Sequence, residues 1–194
     1  MKTNPKIKAY ALIASLVFMI PISINWFTFL ARTFSDDNDT SVNPLEYKIL
    51  TDSTAAVSKC RLPEIENICI PEKVLINGND YTVTHIGNKA FSYCRKLTNV
   101  KIPTSVTEIE YSAFSDCSSL THIKLTSNIT CINAFTFSYC TNLKIIIIPS
   151  SVTSIGYKAF SGCNNLDVII NNSKDSVKIE MDAFKGCKSV RYTK

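Results

Sequence analysis

Apolar residues in this chain recur at fixed places. After residue 82 the sequence divides into units that nearly repeat: "VTHIGNKAFSYCRKLTNVKIPTS" (83–105), "VTEIEYSAFSDCSSLTHIKLTSN" (106–128), "ITCINAFTFSYCTNLKIIIIPSS" (129–151), "VTSIGYKAFSGCNNLDVIINNSKD" (152–175) and a shorter "SVKIEMDAFKGCKSVRYTK" (176–194). Phe91, Phe114, Phe137, Phe160 and Phe184 set the period, at 23, 23, 23 and 24 residues. In the first unit the apolar set is Val83, Ile86, Ala90, Phe91, Cys94, Leu97, Val100 and Ile102. One copy cannot shield that set, but stacked copies can, because each covers the face of the next. Leu97-x-x-Val100-x-Ile102 followed by Pro103 predicts a short strand with Val100 and Ile102 turned inward. Pro103 and Pro149 fall just past their strands, where a missing N–H is tolerated. "VTHI" predicts a second extended piece, and "NKAFSYC" a helical turn that plugs Ala and Phe into the core. The predicted fold is a β-rich (α/β) solenoid, a right-handed coil of about five rungs of 23–24 residues.

The array itself spans residues 83–194. Before it, "IENICIPEKV" (65–74) matches "LTNVKIPTSV" (97–106) at its apolar places and reads as half of an earlier rung. Asn77-Gly78 in "LINGNDYTV" is a hairpin signal. Residues 47–82 are therefore read as an N-terminal β cap, which a solenoid end needs to shield its core. Lys185, Lys188, Arg191 and Lys194 crowd the last rung, where edge charges discourage strand addition.

Residues 1–35 differ in kind. Lys2, Lys6 and Lys8 precede an uncharged apolar stretch, Ala9 to Ala31, which as a helix would be about 35 Å long and could cross a bilayer. Trp26 suits a membrane interface, and the lysines place the N-terminus inside. Pro21 could instead end a shorter core before a cleavage site at Thr33-Phe34-Ser35. Membrane anchor and cleaved signal peptide both stand, with the anchor preferred. A buried core helix is the third reading. Either of the first two places the body at the cell surface or secreted. Residues 36–46, "DDNDTSVNPLE", read as a polar linker.

The formal net charge of +5 owes much to that leader. From residue 33 onward 17 Lys or Arg face 16 Asp or Glu. A body so near neutral gives no electrostatic argument for nucleic acid.

The pattern "VTxIGxxAFSxCxxLTxVxIPxS" resembles the BspA-like leucine-rich repeats, found in surface proteins of bacteria and of some protozoan parasites. The resemblance covers residues 65–194 in five in-phase copies. Where the common leucine-rich pattern places Asn or Cys past the strand, this chain has Ser105, Asn128 and Ser151, so a continuous asparagine ladder is absent. The resemblance implies a leucine-rich repeat module engaged in surface adhesion or host–microbe contact.

Eight cysteines in an exported chain invite disulfides. Cys94, Cys117, Cys140, Cys163 and Cys187 argue against it, since they occupy one column a rung apart and point the same way. They are expected as buried free thiols. A column that does not converge is not a metal site. Cys60 and Cys69 both lie in the cap and could pair, and Cys131 holds a place that is normally exposed.

An enzyme needs acid, base or nucleophile within mutual reach. His85 and His122 fall in different columns, carboxylates are scattered, and no Gly-rich phosphate loop occurs. Neither catalytic residues nor cofactors are expected.

Strand alternation instead exposes Asn99 and Lys101, His122 and Lys124, Ile145 and Ile147, Val168 and Ile170, then Tyr192 and Lys194. Ile145, Ile147, Val168 and Ile170 would form an apolar patch, with His122, Lys124 and Tyr192 completing the candidate partner-binding set. A protein or matrix ligand is the expected partner. The same patch admits a second copy, or a membrane-tethered scaffold without a host ligand. A register error of one residue would bury part of it.

Overall fold

The structure is a computed structural model that describes residues 43–193. The hydrophobic helix, the signal or anchor with its orientation, and most of the polar linker lie outside these residues. No helix among the described residues is long and apolar enough to cross a membrane.

The described chain is a β-solenoid. Its N-terminal part contains β1 (Leu45–Ile49), β2 (Thr54–Cys60), β3 (Asn67–Cys69), β4 (Lys73–Ile76) and β5 (Asn79–Ile86). β1 and β2 are antiparallel, with a bulge at Glu46/Tyr47. β4 and β5 form a hairpin whose turn residues, Asn77 and Gly78, both have positive φ (51° and 80°), the requirement of a type I′ turn. β2 and β5 run parallel, and β5 opens the repeat array.

Each rung then contributes two short strands. The "VTxI" pieces give β7 (Glu108–Ile109), β9 (Cys131–Ile132), β11 (Ser154–Ile155) and β13 (Lys178–Ile179). They stack in parallel beyond β5 and extend one sheet from β1 to β13. The leucine-phased pieces give β6 (Asn99–Lys101), β8 (His122–Ile123), β10 (Ile145–Ile148), β12 (Asp167–Ile170) and β14 (Ser189–Tyr192). These form two parallel three-stranded sheets, β3-β6-β8 and β10-β12-β14.

Between the two strands of a rung the chain does not form the expected helical turn. It makes consecutive tight turns, closed by bonds such as Ala90 N–H to Gly87 O (3.1 Å) and Cys94 N–H to Phe91 O (3.1 Å). Two columns have left-handed backbone: Lys89, Ser112, Phe135, Lys158 and Asp182, then Tyr93, Asp116, Tyr139, Gly162 and Gly186. The left-handed residues reverse the backbone after only three or four residues, whereas a continuing helix would carry it out of the rung.

The turns drive the phenylalanines inward. Phe91, Phe114, Phe137 and Phe160 are fully buried. Consecutive rings stack nearly parallel, with centroids 5.1, 5.5, 5.3 and 5.6 Å apart from Phe91 through to Phe184. Phe184 is half-buried at the end of the row. Beside it runs the cysteine column. Cys117, Cys140, Cys163 and Cys187 each donate the thiol hydrogen to the phenylalanine carbonyl of the preceding rung, at 3.1, 3.2, 3.0 and 3.4 Å. All eight cysteines are free thiols. Burial pushes the Cys117 and Cys187 thiols up to about 12, against their participation as nucleophiles.

Candidate partner-binding face

Alternation along β10 decides the face. Ile146 and Ile148 are buried, whereas Ile145 is 42% and Ile147 51% exposed. One rung earlier His122 and Lys124 are exposed at the corresponding positions.

The next rung requires a correction. Ile145 pairs with Asp167, Ile146 with Val168, Ile147 with Ile169 and Ile148 with Ile170. Val168 and Ile170 are completely buried, so they are core residues and not members of the patch. The outward pair is Asp167 and Ile169, both half-buried. The cause is a shift hidden by the 24-residue period: one residue fewer separates Cys163 from its strand than separates Cys140 from β10, and two more separate β12 from β13 than β10 from β11. The extra length is taken up around a short 3₁₀ turn at Lys174–Ser176. Tyr192 shifts likewise, for it pairs with Ile170, lies in the inward column, and packs half-buried against the core. Its outward neighbours are Ser189 and Arg191. Ile170 ends the inward column of this rung, opposite Ile148.

The corrected face has a simple order. At one outward position the rungs present Lys101, Lys124, Ile147, Ile169 and Arg191, and at the other Asn99, His122, Ile145, Asp167 and Ser189. Three isoleucines thus form the apolar patch, with cationic groups on both sides along the stacking direction. Asp167 is the acid within it. Lys188 donates to it at 2.9 Å and Ser189 at 2.6 Å, and these bonds hold its carboxyl below its ordinary value. The anionic charge in the patch is thereby spent within the face. His122, Lys124, Ile145 and Ile147 are brought together, as is Ile169, which alternation along the sequence places inward.

A second, partly exposed feature does not stand out in the sequence. Tyr111, Phe135 and Tyr157 meet edge to face in successive rungs, with centroids 5.5 and 5.3 Å apart, and Lys158 lies over the Tyr157 ring at 4.9 Å. The aromatics belong to two neighbouring columns, so no single repeat position carries the signal.

Among the described residues the two histidines lie apart. His85 pairs with Glu108 at 3.2 Å in the large sheet, while His122 belongs to β8 in another. A cleft of about 270 Å³ is lined by Cys131, Asn133, Ser154, Lys178 and Glu180. Its polar atoms satisfy one another: Ser154 Oγ donates to Cys131 Sγ at 3.1 Å, and Lys178 Nζ lies 3.7 Å from Glu180 Oε1. Among the described residues no cluster of three His, Cys, Asp or Glu is suited to a metal ion.

Comparison with known proteins places this geometry. The family model of the BspA type leucine rich repeat region matches residues 60–191 in six copies. The T. pallidum leucine rich repeat protein (TpLRR) is similar at 29% identity and a TM-score of 0.66, over 79% of this chain and 71% of that one. A leucine-rich repeat protein from Bacteroides capillosus ATCC 29799 is 34% identical with a TM-score of 0.57, over 72% of this chain and 96% of that one. A leucine rich cell surface protein from Faecalibacterium prausnitzii A2-165 is 26% identical with a TM-score of 0.57 over 75% of this chain, which spans 45% of that protein. No curated protein matches the chain.

Proposed function

Since the chain belongs to the BspA-type leucine-rich repeat family, we propose that it is a non-enzymatic binding module working at the cell surface. Repeat solenoids of this kind are binding scaffolds, and a similar bacterial protein is described as a cell surface protein. The observation that carries the reading is the face of Ile145, Ile147 and Ile169 between Lys101 and Lys124 on one side and Arg191 on the other. Such a face suits a protein surface, in a host or matrix ligand, that presents aliphatic side chains between carboxylates. The apolar centre supplies affinity, and the flanking charges supply register and rate of encounter. Adhesion is the use such a face would serve, strengthened by avidity where copies crowd a membrane.

A phage-displayed random peptide library panned on the immobilised protein tests this. The expected selection is enriched in aliphatic residues flanked by Asp or Glu. Ile147→Lys should weaken the selected peptides at least tenfold, since about 1.5–3 kcal/mol rides on one buried aliphatic chain. Its thermal midpoint should stay unchanged. Peptides without acidic or aliphatic bias, or indifferent to Ile147→Lys, would refute the assignment. Should light scattering show a dimer that Ile147→Lys dissociates, the face serves self-assembly instead.

A further inference from the structure

Cys60 and Cys69, though both near the N-terminal end, lie in different sheets, since β2 belongs to the large sheet and β3 to the one with β6 and β8. Cys69 is half-buried in a strand whose partner residue is Lys101. Cys60 has a different neighbour. The N–H of Phe91, Phe114, Phe137 and Phe160 each donates to the next rung, to the carbonyls of Ala113, Thr136, Ala159 and Ala183. In the same ladder Cys60 N–H donates to Ala90 O at 2.7 Å. Cys60 therefore stands where an additional rung would place its phenylalanine.

That position decides what Cys94 faces. Every later cysteine of the column sits beside a phenylalanine of the rung before it. Cys94 instead has Cys60 in that place, and the two thiols act on each other's titration, lowering Cys60 and raising Cys94. Both are buried, at 6% and 3% exposure, within one apolar cluster. Cysteines stacked within the column project in parallel, which disfavours the near-perpendicular dihedral of a disulfide. Cys60 belongs to another column and to strand β2, so the restriction on cysteines stacked within one column does not extend to it.

We propose that Cys60 and Cys94 form a disulfide that fastens the N-terminal strands to the first rung when the protein folds in an oxidising compartment. The oxidant is a disulfide, either of low molecular weight or of an oxidase. The Cys60 thiolate attacks one of its sulfurs, forming a mixed disulfide and expelling one thiolate. The Cys94 thiolate then attacks Cys60 Sγ, forming the new S–S bond and expelling the second. Two protein thiols give up two protons and two electrons, and the oxidant becomes two thiols. The neighbouring Cys94 thiol lowers Cys60 to about 7 despite its burial while Cys94 itself is raised, so Cys60 supplies the first thiolate. The bond encloses β3, β4 and β5 and adds a covalent tie to their strand pairing, their core packing and the side-chain hydrogen bonds of Thr98 and Thr104.

The proposed surface location is needed only for the oxidant's presence in the cell, so the test supplies the oxidant directly. The purified full chain is refolded in glutathione disulfide, alkylated, and mapped by peptide mass spectrometry beside a sample kept reduced. A Cys60–Cys94 cross-link is expected. Closing a loop of this length should raise the melting midpoint by about 10 °C over the reduced protein. Cys60→Ser and Cys94→Ser should each abolish the rise, and Cys69→Ser should keep it. Alkylation of both thiols after oxidation, or Cys60 joined to any other cysteine, overturns the proposal. The map of the unaltered chain decides between these outcomes even if a serine variant fails to fold. A failed peptide selection would leave this result untouched.

Discussion

Phe137 sits at the middle of the ring stack, and removing its side chain tests whether the stack carries the fold. Its ring is fully buried, with Phe114 at 5.5 Å and Phe160 at 5.3 Å on its two faces, inclined by 2° and 11°. Phe137→Ala removes the transfer energy of the ring and its stacking on both neighbours, and it leaves a cavity whose walls are held by the hydrogen bonds of adjacent rungs. The expected cost is about 4 kcal/mol, the middle of the range for a buried phenylalanine. Phe184 has one ring neighbour, at 5.6 Å, and is half-buried. Phe184→Ala should therefore cost only about 1–2 kcal/mol, in proportion to the smaller area it buries and the single ring it stacks on. Urea titrations followed by far-UV circular dichroism, under reducing conditions, give both numbers. With a urea slope of about 2 kcal/mol/M, Phe137→Ala should lower the midpoint by about 2 M and Phe184→Ala by under 1 M. The slope must match that of the parent protein, because repeat arrays can lose cooperativity and then report a local transition. Equal costs at the two positions, or a destabilisation under about 1 kcal/mol at Phe137, would refute the claim that stacking between rungs supplies the core's stability.

Acid should weaken the end of the binding face in a defined direction. Hydrogen bonds from Lys188 and Ser189 depress Asp167, so its contribution is present above the ordinary carboxylate value and is lost as pH falls through the depressed one. Asp167→Asn should therefore reduce the difference in melting midpoint between pH 6 and pH 3, and an undiminished difference would contradict the pairing. Gly156 offers a test of rung spacing, since a Cβ there would lie 2.6 Å from Ala134 N and 2.9 Å from Asn133 C. Gly156→Ala should cost about 1–3 kcal/mol, read as a thermal shift of several degrees. A change within about 0.5 kcal/mol would mean that adjacent turns separate more easily than their packing implies.

The solenoid was legible because burial is written into the sequence five times. A single "AFSYC" would be ambiguous, but Phe and Cys columns in phase leave stacking as the arrangement that removes all of them from water. The turns were not legible. Ala90, Phe91 and Cys94 have the spacing of one helical turn, and the reversals depend on left-handed backbone at residues such as Lys89, Phe135 and Tyr139, whose types do not announce it. At the binding face, Ile145 and Ile147 could be read from alternation beside Leu143. In the next rung Val168, Ile169 and Ile170 are all aliphatic, so alternation lost its polar markers and counting from Leu166 gave the wrong phase. Two of those three residues could be buried, and the pairing with β10 determines which. The place of Cys60 was not legible for a related reason, since its kinship is with the phenylalanine column, a relation visible only in the backbone ladder.

The shifted rung also explains how the face obtains its character. In the unshifted phase Val168 and Ile170 would point outward and continue a four-residue aliphatic strip. The observed phase keeps Ile169 beside Ile147 and sets Asp167 beside Ile145, within reach of Lys188 and Ser189. A strip of four aliphatics on an open sheet favours indiscriminate pairing with any apolar surface. Three aliphatics with a neutralised acid at one corner and cations at both ends reward a partner with a matching order of charges. The change is made without disturbing the core, because the inward column remains aliphatic through Ile146, Val168 and Val190 while the extra residues leave the stack near Lys174–Ser176. Selectivity is therefore set by which residue of that rung opens its strand, Asp167 in place of Val168.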